Sequence, residues 1–156
     1  MAVGPGDRAP DFTLPGVLDG ERGSYSLADL AGQKIVLAFY PGDNTAVCTK
    51  QLCSYNADIA EFDGLGAQLW GISPQSVESH EGFAAKQGFT FPLLADADKT
   101  VGEAYGLVGL GGALYKRAVF VIDGSGVIAY AHRAVVGLTF RRTPELVAAI
   151  KAIPAA

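Results

Sequence analysis

The run KIVLAFYP, residues 34–41, is the stretch that most constrains the fold. It consists largely of apolar β-branched and aromatic residues and ends at a proline. A strand without a polar face needs cover on both sides, as strands have at the centre of a sheet that carries helices on both faces. The run therefore predicts a fully buried central strand.

Patterns of helix and strand alternate along the rest of the chain. Helices are predicted over 46–64, 76–88, 99–106 and 143–153, and strands over 67–73, 91–96, 117–123 and 127–133, the last two as a hairpin. Residues 1–24 are predicted as turns with one short extended piece, and 25–32 as a turn or short helix. The alternation predicts an α/β fold, a mixed central β-sheet flanked by helices, in a single domain over residues 1–156.

Charge and hydropathy narrow the class of protein. The net charge of −4 argues against nucleic acid or an anionic membrane as the main partner. The first residues lack a basic region followed by an apolar run, and no window holds 18 consecutive apolar residues. We therefore expect a cytoplasmic protein, in which paired cysteines are more often catalytic, redox-sensing or metal-binding than structural.

Both cysteines lie in the segment YPGDNTAVCTKQLC, residues 40–53. This segment follows the central strand, and ligands of α/β folds bind at the carboxyl ends of parallel strands. Cys48 falls near the start of the predicted helix 46–64, where free backbone N–H groups and the helix dipole favour a thiolate. It lies four residues before Leu52, on the apolar stripe of that helix, and so is predicted to point into a pocket.

The spacing of the two cysteines limits how they can react with each other. In an intact helix a separation of five residues places the Cα atoms of Cys48 and Cys53 roughly 8–9 Å apart. A disulfide requires less than about 7 Å. The two thiols can therefore bond only if the first turns of the helix unwind, which suits a catalytic cycle better than a static brace.

Other interpretations of these residues are weaker. Either cysteine could be a small buried apolar residue. A structural zinc site needs four ligands, and the only histidines, His80 and His132, are distant in sequence. His80 is predicted to lie on the surface of helix 76–88. The glycine-rich segment 106–116 lacks a phosphate-binding pattern and is predicted to be a loop near the site.

The pattern Pro41-x-x-x-Thr45-x-x-Cys48 after a buried strand resembles the active-site signature of the peroxiredoxins, which are thiol peroxidases on a thioredoxin-like fold. The position of Cys53 resembles the bacterioferritin-comigratory or Q-type branch, in which the resolving cysteine follows the peroxidatic one by five positions. The segments GDRAPDFTL, LWGISPQSVESHEGFAAKQGFTFPLLAD and YKRAVFVIDGSGVI resemble further parts of the family, so the similarity covers nearly the whole chain.

The resemblance implies a role for each site residue. Cys48 would be the peroxidatic nucleophile, and Arg117 the cation that stabilises its thiolate and holds the peroxide. Thr45 would place its hydroxyl on the peroxide, and Pro41 would pack over the pocket and limit the access of water. Cys53 would resolve the sulfenic acid into an intramolecular disulfide that thioredoxin reduces. No metal, haem or flavin is implied.

Two positions depart from the pattern, since many relatives have proline at Ala46 and glutamate at Gln51. Gln51 can still accept a hydrogen bond from the family arginine but brings no charge. The expected substrates are hydrogen peroxide and organic hydroperoxides, and the expected assembly is a monomer or a weak homodimer. A redox sensor that uses the same two thiols without turnover is the alternative function, and a structural disulfide protein is a third.

Overall fold

The structure is a computed structural model that describes residues 3–109, 115–134 and 140–153. These residues form a seven-stranded sheet in the order β2-β1-β5-β4-β3-β6-β7. The strands are β1 (Thr13–Leu18), β2 (Glu21–Ser26), β3 (Lys34–Phe39), β4 (Ala67–Ser73), β5 (Leu93–Ala95), β6 (Ala118–Ile122) and β7 (Ile128–Arg133). The helices are α1 (Ala46–Ala57), α2 (Ile59–Gly64), α3 (Val77–Gln87), α4 (Thr100–Ala104) and α5 (Thr143–Lys151), with a 3₁₀ helix at Leu27–Leu30.

Strand β3 is the buried centre of the sheet, as its sequence predicts. It pairs in parallel with β4 and antiparallel with β6, and residues 35–39 are each at most 1% exposed. Its side chains alternate between two apolar clusters, one on each face of the sheet. Val36 and Ala38 pack on one side, and Ile35 and Leu37 on the other. The predicted mixed sheet flanked by helices is therefore confirmed.

Different helices pack on the two faces of the sheet. The first cluster takes apolar residues from the long helices, among them Leu52 of α1, Phe83 of α3 and Leu146 of α5. The second is built from aromatic residues around Trp70 and Tyr105, beneath the 3₁₀ helix and α4. Both cysteines belong to the first face. None of the helices in the described ranges is long and apolar enough to cross a membrane.

Three predictions about secondary structure need correction or restriction. Residues 13–26 form a hairpin in place of the turns and one short extended piece predicted up to residue 24, because β1 and β2 pair through a turn at Asp19 and Gly20, both with positive φ. The predicted helix 46–64 is divided at Asp58, whose φ of −105° and ψ of 17° end α1 before α2 begins. Residues 110–114 of the predicted glycine-rich loop lie outside the described residues.

The register of β3 and β6 determines which residues meet at the carboxyl end of β3. Phe39 pairs with Ala118, so the residue that precedes β6 lies beside the residue that follows β3. The residue before β6 is Arg117. The loop 40–45 and α1 continue from the same end of β3, so the strand pairing brings the amino end of α1 close to Arg117.

Candidate active site

Cys48 lies in the first turn of α1 and faces the protein interior. Its side chain is 1% exposed and shares the buried face of the helix with Gln51, Leu52 and Tyr55. The helix begins after Thr45, whose carbonyl accepts a 2.9 Å hydrogen bond from the amide of Thr49. Cys48 is therefore buried on the inner face of α1, as its place on the apolar stripe predicts.

Arg117 contacts the sulfur of Cys48 directly. Its Nη2 donates a 3.2 Å hydrogen bond to Sγ of Cys48, and its Nη1 donates a 2.6 Å hydrogen bond to Oε1 of Gln51. The arginine is 4% exposed. A guanidinium is permanently charged, and a charge-assisted hydrogen bond in a buried site is stronger than a neutral one. The contact therefore places a permanent positive charge directly against the sulfur of Cys48.

Gln51 extends this contact into a chain of hydrogen bonds. Because its Oε1 accepts from Arg117, its Nε2 is the donor to Oη of Tyr55, at 3.2 Å. The hydroxyl of Tyr55 in turn donates to the carbonyl of Arg141. Burial raises the pKa of Tyr55, so this hydroxyl stays protonated. The neutral amide of Gln51 thus accepts a hydrogen bond from Arg117 and donates one to Tyr55.

Cys53 lies farther along α1 and turns towards α3. Its half-buried Sγ donates a 3.4 Å hydrogen bond to Oε1 of Gln87, and burial raises the pKa of this thiol. Both cysteines are free, and α1 is unbroken from Ala46 to Ala57. The regular helix gives a Cα separation of roughly 8–9 Å, too long for a disulfide.

The other two predicted site residues lie on the loop that leads into α1. Pro41 follows the buried Tyr40 and is itself exposed. Thr45 is exposed as well, and its hydroxyl donates a 3.1 Å hydrogen bond to the carbonyl of Gly42. The structure therefore groups Cys48 and Arg117 in a buried contact and leaves Pro41 and Thr45 at its solvent side.

The prediction that His80 lies on the surface of a helix is wrong. Its side chain is fully buried, with Nδ1 2.8 Å from Oδ2 of Asp43 and Nε2 2.9 Å from the carbonyl oxygen of Leu94. Asp43 also accepts hydrogen bonds of 2.7 Å from the hydroxyls of Tyr40 and Ser79. Burial alone would raise the pKa of Asp43, but these hydrogen bonds and the charge of His80 hold it below the ordinary value.

The spacing of apolar residues in α3 contains a signal for this burial. His80 lies three residues after Val77 and three before Phe83, which is the period of the inner face of a helix. The buried acid that pairs with it is 37 residues away and has no such signal. Within the described residues no group of three or more His, Cys, Asp or Glu side chains could hold a metal ion.

Comparisons with known proteins identify the family of the chain. Residues 5–131 match the AhpC/TSA family. Peroxiredoxin Bcp of Xanthomonas campestris is 38% identical over 136 residues, which cover 81% of this chain and 82% of the relative. The chloroplastic peroxiredoxin Q of Sedum lineare is 39% identical over 127 residues, covering 81% and 67%.

The fold is shared with solved structures as well. The crystal structure of peroxidoxin BcpB from Mycobacterium tuberculosis matches with a TM-score of 0.86 and 31% identity, over 98% of this chain and 99% of that one. The predicted thioredoxin-like fold and the resemblance stated from the sequence are therefore confirmed. The chain belongs to the AhpC/TSA family, as an enzyme of the peroxiredoxin type related to the Bcp and Q proteins.

Proposed function

We propose that this peroxiredoxin reduces hydrogen peroxide and organic hydroperoxides by an atypical two-cysteine cycle within one subunit. Cys48 is the peroxidatic cysteine, Cys53 resolves its oxidised form, and a thioredoxin-type dithiol returns both to thiols. The observation that carries the proposal is the buried 3.2 Å contact between Nη2 of Arg117 and Sγ of Cys48, at the amino end of α1.

In the first step the Cys48 thiolate attacks one oxygen of the peroxide. A sulfur–oxygen bond forms as the oxygen–oxygen bond breaks, which leaves a sulfenic acid on Cys48. The departing oxygen takes a proton from solvent and leaves as water or an alcohol. Negative charge grows on that oxygen during the step, so the cation of Arg117 and the unpaired N–H groups of the first turn of α1 stabilise the transition state.

The loop residues act at the solvent side of the same sulfur. Thr45 directs its hydroxyl to the incoming peroxide, and the hydrogen bond to the carbonyl of Gly42 fixes the orientation of that hydroxyl. Pro41 has no N–H group to attract water and shields the sulfur from bulk solvent. These two residues complete the proposed catalytic set of Cys48, Cys53 and Arg117.

In the second step α1 unwinds so that the two sulfurs can meet. The thiolate of Cys53 attacks the sulfur of the sulfenic acid, the sulfur–oxygen bond breaks, and the departing hydroxide takes a proton from solvent and leaves as water. A dithiol reductant such as thioredoxin then supplies two electrons by thiol–disulfide exchange. Because both cysteines lie in α1 of one chain, a single domain acting as a monomer in the cytoplasm completes the cycle, and a weak homodimer is compatible with it.

The test is peroxide consumption in the presence of thioredoxin, thioredoxin reductase and NADPH. We expect the native enzyme to turn over many equivalents, Cys48→Ser to be inactive, and Cys53→Ser to react once without recycling. A native protein that takes up one equivalent and stops would favour the redox sensor instead. Turnover by Cys48→Ser would exclude the proposed nucleophile.

A further inference from the structure

We propose that His80 is a positioning residue for the peroxide step, because its buried ion pair with Asp43 fixes the loop 40–45, which carries Pro41 and Thr45. The inference rests on the proposed function and adds to it a residue that acts through the loop. His80 and Asp43 are the one histidine–carboxylate ion pair found in the described parts of the chain, and their side chains are 0% and 1% exposed.

The polar atoms of the pair have hydrogen-bond partners. The carbonyl oxygen of Leu94 can only accept, so Nε2 of His80 donates to it. Nδ1 of His80 lies 2.8 Å from Oδ2 of Asp43, and the hydroxyls of Tyr40 and Ser79 donate to the two oxygens of the same side chain. A buried pair of this kind is tolerated when its polar atoms have such partners.

The network ties the loop to three different elements of the fold. Tyr40, at the end of β3, donates to Asp43 three residues later. Ser79 and His80 bind the same carboxylate from the first turn of α3, and His80 reaches Leu94 in β5 with its other nitrogen. Burial and the nearby charge of Asp43 raise the pKa of Tyr40, so its hydroxyl remains a donor.

The backbone next to Asp43 makes a sharp turn. Asn44 has a φ of 60°, in the left-handed region that asparagine adopts more readily than other residues except glycine. Asp43 precedes Asn44 directly, and Thr45 follows it. The ion pair therefore holds the residue from which this turn leads into α1.

The rate of the peroxide step depends on how accurately the loop groups are placed relative to the sulfur of Cys48. Asp43 lies two residues before Thr45 and five before Cys48, so a loop released from His80 moves the peroxide-facing groups with respect to the sulfur. A misplacement of about 1 Å can lower a rate about 100-fold. Cys48 itself is held by the packing of α1, where it shares the buried face with Gln51, Leu52 and Tyr55. Arg117 reaches it from the residue before β6, so their contact does not run through this loop.

The experiment compares two reagents on the Cys48 thiol of the full chain. Hydrogen peroxide needs the loop groups, whereas iodoacetamide needs only an accessible thiolate. For His80→Gln we expect the rate constant with peroxide to fall about 10- to 100-fold, as loss of alignment predicts, while the rate constant with iodoacetamide stays near that of the native protein. The matched control is Lys86→Gln, an exposed position of α3, which should change neither constant.

A second variant covers the case in which His80→Gln does not fold. Ser79→Ala removes one donor to Asp43 and leaves the ion pair, so a smaller selective fall with peroxide is expected. Far-UV circular dichroism establishes the folded state of each variant.

An unchanged rate constant with peroxide in folded His80→Gln, or in Ser79→Ala if only that variant folds, overturns the inference. Equal falls with both reagents overturn it as well, because the effect would then lie on the sulfur. A native protein inert to peroxide would instead refute the proposed function.

Discussion

Two positions on α1 hold chemically identical thiols in opposite surroundings. Cys48, in the first turn, is 1% exposed and accepts a hydrogen bond from a guanidinium, whereas Cys53, past the middle of the helix, is half-buried and donates to the neutral amide of Gln87. Burial raises the pKa of Cys53 and so favours its neutral thiol. This difference fits the proposed order of the two steps, in which Cys48 reacts first.

Anchors beyond the two cysteines limit how far α1 can rearrange. At the front, the buried carboxylate of Asp43 is bound by His80 of α3. At the rear, Asn56 donates to the carbonyl of Gly88 and accepts from the amide and hydroxyl of Thr90, just beyond α3. Unwinding that leaves both anchors in place is confined to the residues between them, and both thiols lie in that interval.

The largest expected effect comes from removing the partner of each sulfur in turn. Arg117→Gln should lower the rate constant of Cys48 with peroxide about 100- to 1000-fold, as loss of a principal transition-state donor does. Gln87→Ala, which removes the partner of Cys53, should leave that constant unchanged. Stopped-flow mixing with excess peroxide measures both. Similar losses in the two variants would show that the difference between the sulfurs does not govern the first step.

The pH dependence of the second step should report the buried state of Cys53. Burial raises the pKa of Cys53 in the folded helix, and unwinding returns it towards the ordinary value of about 8.5. The contribution of this thiol to helix stability is thus full below about pH 8.5 and is lost as the pH rises through the raised folded value. Disulfide formation after one equivalent of peroxide should therefore accelerate from about pH 7 to pH 9, by up to about tenfold per unit.

The rate of disulfide formation is measured by quenching the reaction with an alkylating reagent and determining the masses of the products by mass spectrometry. Gln87→Ala offers a control, because it alters the surroundings of Cys53 without altering its thiol. A disulfide rate that stays flat over this range would mean that ionisation of Cys53 does not limit resolution, so that the unwinding of α1 itself sets the rate.

Asn56→Ala should affect the rear half of the helix alone. The change removes three hydrogen bonds and should lower the free energy of unfolding by about 1–2 kcal/mol, measured by urea denaturation. Disulfide formation should become severalfold faster because unwinding is easier, while the peroxide step keeps its rate. A slower disulfide step would contradict the view that this anchor restrains the rearrangement.

The smallest expected effect concerns Gln51→Glu. A carboxylate can accept from Arg117 but cannot donate to Tyr55, whose hydroxyl would then turn away from the carbonyl of Arg141. We expect a loss of about 1 kcal/mol in the free energy of unfolding and little change in the peroxide rate. Gln33→Glu, at an exposed position, controls for the added charge. A gain in stability would mean that charge pairing with Arg117 outweighs the lost donor.

The fold was predictable where apolar patterning is strong and less so elsewhere. The buried run that became β3 was evident, whereas β2, with the sequence ERGSYS, is a polar and largely exposed strand without alternation. Its hairpin with β1 is indicated by the pair Asp19-Gly20, a dipeptide typical of tight hairpin turns. The break at Asp58 has no proline or glycine to indicate it in the sequence.

Features of the site that depend on neighbouring residues in the sequence were predictable, whereas contacts between distant residues were not. The burial of Cys48 follows from its position on the helix, but its contact with Arg117 is set by strand register and entered the prediction only through family resemblance. The pair of Asp43 and His80 was missed because charged and titratable side chains are usually exposed. Burial of such a pair becomes evident only when both partners are placed in space.

The pairing of β3 with β6 also has a consequence for the newly made protein. The guanidinium that contacts Cys48 lies 69 residues later in the chain, so the thiol leaves the ribosome well before its partner is synthesised. Strand β6, whose pairing with β3 brings the arginine into place, is added later still. A nascent or truncated chain therefore holds Cys48 without its contact to Arg117, which forms only when the far half of the sheet has assembled.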